Sequence, residues 1–164
     1  MYSMRPDGSD QRRLTFSDLQ EACGASWSPD GSRFAFARST PGYWSNEIFV
    51  INADGTGEQK LSGDGDGSPA WSPDGSQILF NSVRSGSNQL WLMQADGQSP
   101  QNLTNADEFS HGEAVWSPDG AEIVFDRGGV NLPILFRMRV DGTGIVPLAS
   151  TGGTSWDSPS QWLP

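Results

Sequence analysis

Ala70-Trp71-Ser72-Pro73-Asp74-Gly75-Ser76-Gln77-Ile78-Leu79-Phe80 reads as two short β-segments folded back on a tight turn, and the rest of the chain repeats that reading. Pro presets φ at the second turn position, Asp suits the third, and Gly takes the positive φ of a bulge. The string WSPDG stands at Trp27–Gly31, Trp71–Gly75 and Trp116–Gly120, with a worn copy at Gln161-Trp162-Leu163-Pro164. Successive Trp residues are 44, 45 and 46 positions apart. That spacing matches the roughly 40–50 residues of a four-stranded propeller blade.

A second motif is interleaved with the first: Asp-Gly, with Leu seven residues after the Asp. It occurs at Asp7 and Leu14, Asp54 and Leu61, Asp96 and Leu103, and Asp141 and Leu148. Between the motifs lie short runs that are apolar and β-forming, bounded by Gly, Pro, Asp and Asn. With the strands of a unit lettered a to d, strand a ends in the Trp and strand b spans 33–38, 77–82 or 122–126. Strand c spans 47–52, 89–94 or 134–140, and strand d runs into the Leu. Alignment on Asp-Gly puts Tyr2, Phe49, Trp91 and Phe136 in one column, and Met4, Ile51, Met93 and Met138 in another two residues on. Side chains two apart share a strand face, so both columns are expected to pack between neighbouring blades. The seven turn aspartates (Asp7, Asp30, Asp54, Asp74, Asp96, Asp119, Asp141) are accordingly read as structural.

A chain of 164 residues supports one domain of ordinary size. Its 20 Gly and 11 Pro fit many turns, and seven Trp with eight Phe supply core material. Ten basic against twenty acidic residues give a net charge of -10, which disfavours nucleic acid. No apolar run approaches the roughly 18 residues of a membrane helix, so no membrane insertion is expected, and no basic-then-apolar leader is present. Cys23 is the single cysteine and His111 the single histidine. Zinc needs several such ligands, and no Ser lies in a G-x-S-x-G elbow, so no catalytic or metal residue is assigned.

At WSPDG followed by Ser76-Gln77-Ile78-Leu79-Phe80, then Leu90-Trp91-Leu92-Met93-Gln94-Ala95-Asp96-Gly97 with Asn102-Leu103-Thr104, the sequence resembles the TolB-like β-propeller repeat. The resemblance covers nearly the whole chain. It implies an all-β fold of propeller blades, each of four antiparallel strands, about four in number. It also implies a non-enzymatic scaffold for a protein or peptide, periplasmic or extracellular. The same repeat is carried by propeller domains of prolyl-oligopeptidase-like enzymes and by oligogalacturonate lyases. A fragment of such an enzyme, or an engineered propeller fragment without native function, is the alternative. Strand counting gives a half-blade at 1–15, blades at about 24–62, 68–104 and 113–148, and a closing strand at about 158–162 within a single propeller domain. An arc of this size exposes sheet edges, so a homodimer completing a ring of about eight blades is expected.

The d-to-a loops feed the innermost strands and are expected to ring the mouth of the central channel. They carry Asp18, Glu21, Asp64, Asp66, Asp107, Glu108, Glu113 and Asp157, with Phe109 and His111 beside them. Such acids would attract a basic peptide or a cation. Asp64-Gly65-Asp66-Gly67 faintly resembles a calcium loop, but no Glu follows at EF-hand distance, so no cofactor is assigned beyond a looser Ca²⁺ site. Trp44 and Trp156 fall outside the repeat columns and are candidate anchors for a partner. Arg38, Arg84 and Arg127 end the three b strands in register and are expected to pair with loop acids.

Overall fold

The computed structural model describes residues 1–15, 22–39, 46–63, 65–104, 110–128 and 134–149. Every regular element among them is a β-strand, and each sheet runs antiparallel in chain order. The first sheet pairs β1 (Tyr2–Ser3) with β2 (Arg12–Arg13). The second holds β3 (Ala22–Trp27), β4 (Arg33–Ser39), β5 (Asn46–Asn52) and β6 (Gln59–Lys60). The third holds β7 (Asp66–Trp71), β8 (Gln77–Ser82), β9 (Gln89–Gln94) and β10 (Gln101–Asn102). The fourth holds β11 (Ser110–Trp116), β12 (Glu122–Gly128), β13 (Ile134–Arg139) and β14 (Val146–Ala149). The closing strand expected near 158–162 lies outside the described residues.

The WSPDG turn is held by a hydrogen-bond set that recurs in all three four-stranded sheets. In the third sheet Ser72 Oγ donates to Asp74 Oδ1 at 2.6 Å and accepts the Gln77 N–H at 2.9 Å. The Ser76 N–H donates to the same Asp74 oxygen at 3.0 Å, and the Gly75 N–H closes the turn on the Ser72 carbonyl at 2.9 Å. Ser28 with Asp30, and Ser117 with Asp119, repeat the pattern. Gly75 has a φ of 74°, in the left-handed region where a side chain is strained. The Asp-Gly turns use a shorter version, in which the aspartate accepts the N–H two residues on.

These bonds hold the Asp30 and Asp74 carboxyls down at about 2, chiefly through the Ser28 and Ser72 hydroxyls. Asp7, Asp54, Asp119 and Asp141 are lowered in the same direction by their Ser or Thr partners. Each is depressed in the folded state against an ordinary value of 3.8, so the stability it contributes is present above that value and lost as pH falls. The melting temperature is therefore expected to drop between about pH 4 and about pH 2, a window that circular dichroism melts would test. A flat Tm across it would mean that the turn bonds do not form in solution.

Side chains facing between successive sheets form three cores. Leu14, Phe34, Phe36 and Ile51 join the first and second sheets. Ile48, Val50, Trp71, Ile78, Phe80 and Met93 join the second and third. Leu79, Leu90, Leu92, Leu103, Trp116, Ile123, Phe125 and Met138 join the third and fourth. Phe36, Phe80 and Phe125 occupy one register position of successive b strands and are wholly buried. Each lies opposite a member of the aromatic column, Phe49, Trp91 or Phe136.

Candidate functional site

Each innermost strand carries a β-bulge, between Cys23 and Ser26, Gly67 and Ala70, or His111 and Ala114. A bulge bends its strand and re-aims the residues ahead of it. Around the bulge-side ends of β7 and β11 lies a cavity of about 380 Å³, walled by Asn46, Asp66, Asn81, Asn88 and Glu113 and by the backbone of Gly65, Gly67 and Gly112. Val83, largely exposed at 53 %, forms part of its rim.

Asp66 was expected as an open loop acid, but the structure makes it the first residue of β7, with no exposed surface. The reason is Arg84. Its guanidinium pairs with Asp66 Oδ2, its Nε donates to Ser82 Oγ at 2.9 Å, and it lies 4.7 Å over the Trp91 ring. The second carboxylate oxygen, Oδ1, is buried with no hydrogen-bond partner, although Asp66 lines the cavity. Such an oxygen is costly to enclose, and the Arg84 pair on Oδ2 offsets that cost. Arg38 pairs likewise, through Nη1 to Glu58 Oε1 at 2.8 Å, but its acid precedes β6 rather than lying in a d-to-a loop.

His111 was expected on a loop at the channel mouth. It lies within β11, 1 % exposed, with its ring 5.3 Å from that of Phe125. Its backbone serves the site: the His111 carbonyl accepts from Asn81 Nδ2 at 3.0 Å and from Asn88 Nδ2 at 2.7 Å. Asn81 Nδ2 also donates to the Gly112 carbonyl at 2.7 Å, so these two amides tie the third blade to the fourth across the cavity floor. Gly112 admits no side chain, since a Cβ there would lie 2.2 Å from Asp126 Oδ2. Burial, with the Glu113 charge as a smaller contribution, pushes the Asp126 carboxyl above its ordinary value.

Asp18, Glu21, Trp44, Asp64, Asp107, Glu108, Phe109 and Trp156 lie outside the described residues. Asp157 lies outside them too, so of the expected residues Asp66, His111 and the acid Glu113 are placed here; Asp66 and Glu113 line the cavity, Glu113 from within β11 rather than from a loop. Asn46, Asn81 and Asn88 were not anticipated. Asn81 carried a signal all the same, as a polar side chain closing the apolar run Ile78-Leu79-Phe80. Among the described residues no three His, Cys, Asp or Glu side chains are grouped to hold a metal ion, and no helix is long and apolar enough to cross a membrane.

Known proteins share this architecture. The family model for the TolB beta propeller domain matches residues 1–163. An uncharacterised protein of Agrobacterium fabrum is 36% identical over 91 residues, which is 52% of this chain and 30% of that protein. A solved structure of a candidate TolB from Agrobacterium tumefaciens superposes with a TM-score of 0.78 at 26% identity, covering 90% of this chain and 55% of that one. TolB from Acinetobacter baumannii shares the fold with a TM-score of 0.76 at 21% identity, over 96% of this chain and 40% of its own. An oligogalacturonate lyase from Vibrio parahaemolyticus shares it with a TM-score of 0.62 at 17% identity, over 85% of this chain and 41% of its own. The chain thus spans under two thirds of the length of each.

Proposed function

This chain belongs to the TolB beta propeller family, and from that premise we propose that it is a non-enzymatic scaffold whose loop face binds a protein or peptide segment, preferentially a basic one. The observation that carries the reading is the 380 Å³ cavity lined by Asp66, Asn46, Asn81 and Asn88, with the exposed Glu113 carboxylate at its opening. A Lys or Arg side chain would find an acidic opening there, and a net charge of -10 would steer such a partner toward the surface. The likeness to TolB supports a protein partner and a periplasmic or extracellular setting. Self-association of two chains would complete the ring at about eight blades, within the range of closed propellers.

Fluorescence anisotropy with two labelled peptides of equal length, one Lys-rich and one Glu-rich, tests the reading. The Lys-rich peptide is expected to bind, and Glu113→Lys to weaken it about tenfold, equivalent to about 1.4 kcal/mol. Equal binding of both peptides, or an unchanged affinity in Glu113→Lys, would overturn it.

A further inference from the structure

Gly65, Gly67 and Gly112 all line the cavity, and the fold dictates the first and the last of them. Gly65 has a φ of 87°, and a Cβ placed on it would lie 2.7 Å from the Val83 side chain. A Cβ on Gly112 would run into the Asp126 carboxylate. Gly67 meets neither constraint: its φ lies outside the left-handed region, and an added Cβ would meet Asn46 Nδ2 at 3.6 Å, an ordinary contact distance. A glycine inside a strand is less stable there than a residue with a side chain, and it marks places where another backbone comes close.

Ser68 departs from the backbone's preference in the opposite sense. Its φ is 49°, in the left-handed region, where a side chain is strained. The corresponding bulge of the second sheet has the arrangement that this backbone favours: Cys23 pairs with Ala37 as Gly67 pairs with Asn81, and the next residue, at a φ of 59°, is Gly24. The third sheet thus carries glycine where a side chain fits, and a side chain where glycine fits. Both residues line the cavity, Ser68 exposed and Asn46 beside Gly67. Stability given up twice in one stretch of cavity wall points to a binding position.

We propose that Gly67, Ser68 and Asn46 receive the main chain of the bound peptide. Gly67 lets that chain approach, the Ser68 hydroxyl and the Asn46 Nδ2 amide donate hydrogen bonds to its carbonyl groups, and Glu113 meets a basic side chain. Asn81 and Asn88 are engaged otherwise, donating to the His111 and Gly112 carbonyls. The inference rests on the peptide-binding reading above and adds recognition of backbone to recognition of charge.

Two variants in the anisotropy assay with the labelled Lys-rich peptide test this. Gly67→Ala combined with Ser68→Gly gives the third sheet the side-chain order of the second. It is expected to raise the Tm by about 2–4 °C and to weaken the peptide about tenfold. Ser68→Ala keeps a side chain at the left-handed position but removes the hydroxyl, and is expected to weaken the peptide about tenfold at an unchanged Tm. Spermine, a cation without a main chain, is expected to displace the peptide with the same inhibition constant from wild type and from Ser68→Ala. Wild-type peptide affinity in both variants would overturn the inference while sparing the peptide-binding reading, as would a loss of spermine affinity equal to that of the peptide. A wild type that binds the Lys-rich and Glu-rich peptides alike would overturn both.

Discussion

Trp71→Ala is expected to destabilise the fold by about 3–5 kcal/mol, and Trp27→Ala, at the same position of the same motif, by about 1 kcal/mol or less. Trp71 is 6% exposed and packs among Ile48, Val50, Ile78 and Phe80, so its removal leaves a cavity between two sheets that cannot readily collapse. Arg33 also lies 4.9 Å over its ring and would lose that contact. Trp27 is 53% exposed and lies against Phe34, with ring centroids 3.7 Å apart. Urea unfolding at a dilution where the chain is single would separate the two variants. Similar losses would mean that the Trp27 side chain is covered in the isolated chain, contrary to its 53% exposure. Since native domains are stable by only about 5–15 kcal/mol, the Trp71 loss would be visible as a large shift of the unfolding midpoint.

Arg84→Ala is expected to cost about 2–4 kcal/mol, more than the loss of its own packing, because it leaves the Asp66 carboxylate enclosed without a counter-charge. The lower part of the range for broken buried pairs applies, since the Arg84 side chain keeps 30% of its surface in water. The double variant Asp66→Asn with Arg84→Ala should recover part of the loss, as a neutral amide is cheaper to enclose than a charge. A thermodynamic cycle over wild type, the two single variants and the double variant reads the coupling directly. Additive single effects would show that the pair is not formed in solution.

Local chemistry and tertiary chemistry divide what could be read from the chain alone. Ser72-Pro73-Asp74-Gly75 announces its turn because every bond of that turn joins residues within five positions of one another. The strand columns were legible for a related reason: a period of two puts Phe49 and Ile51 on one face whatever the face meets. What each face meets is another matter. Trp27 and Trp71 are indistinguishable by motif, and only the neighbouring sheet decides that one is covered and the other open. Asp66 failed as an open acid for the same reason, since Arg84 lies 18 positions away and reaches it only after the β7–β8 hairpin has formed. Asn81 and Asn88 acquire their role from carbonyls of the next blade, up to 31 positions distant. Arg84 was marked for a loop acid together with Arg38 and Arg127; it stands two residues beyond their register position, which Ser82 fills, and its partner Asp66 is the first residue of β7.

The cavity sets polar groups on one face, away from the WSPDG turns. Turn aspartates satisfy their own backbones and offer little to a partner. Glu113, by contrast, lies exposed at the cavity opening. Recognition is therefore expected on the bulge-side loops and not on the WSPDG side.

Nuclear magnetic resonance of the ¹⁵N-labelled chain titrated with the Lys-rich peptide tests that claim most directly. The account predicts shift changes concentrated at Gly65, Gly67, Ser68, Asn81, Asn88, Gly112 and Glu113, with the turns at Asp30, Asp74 and Asp119 unmoved. Changes centred on those turns, with the cavity residues silent, would contradict it.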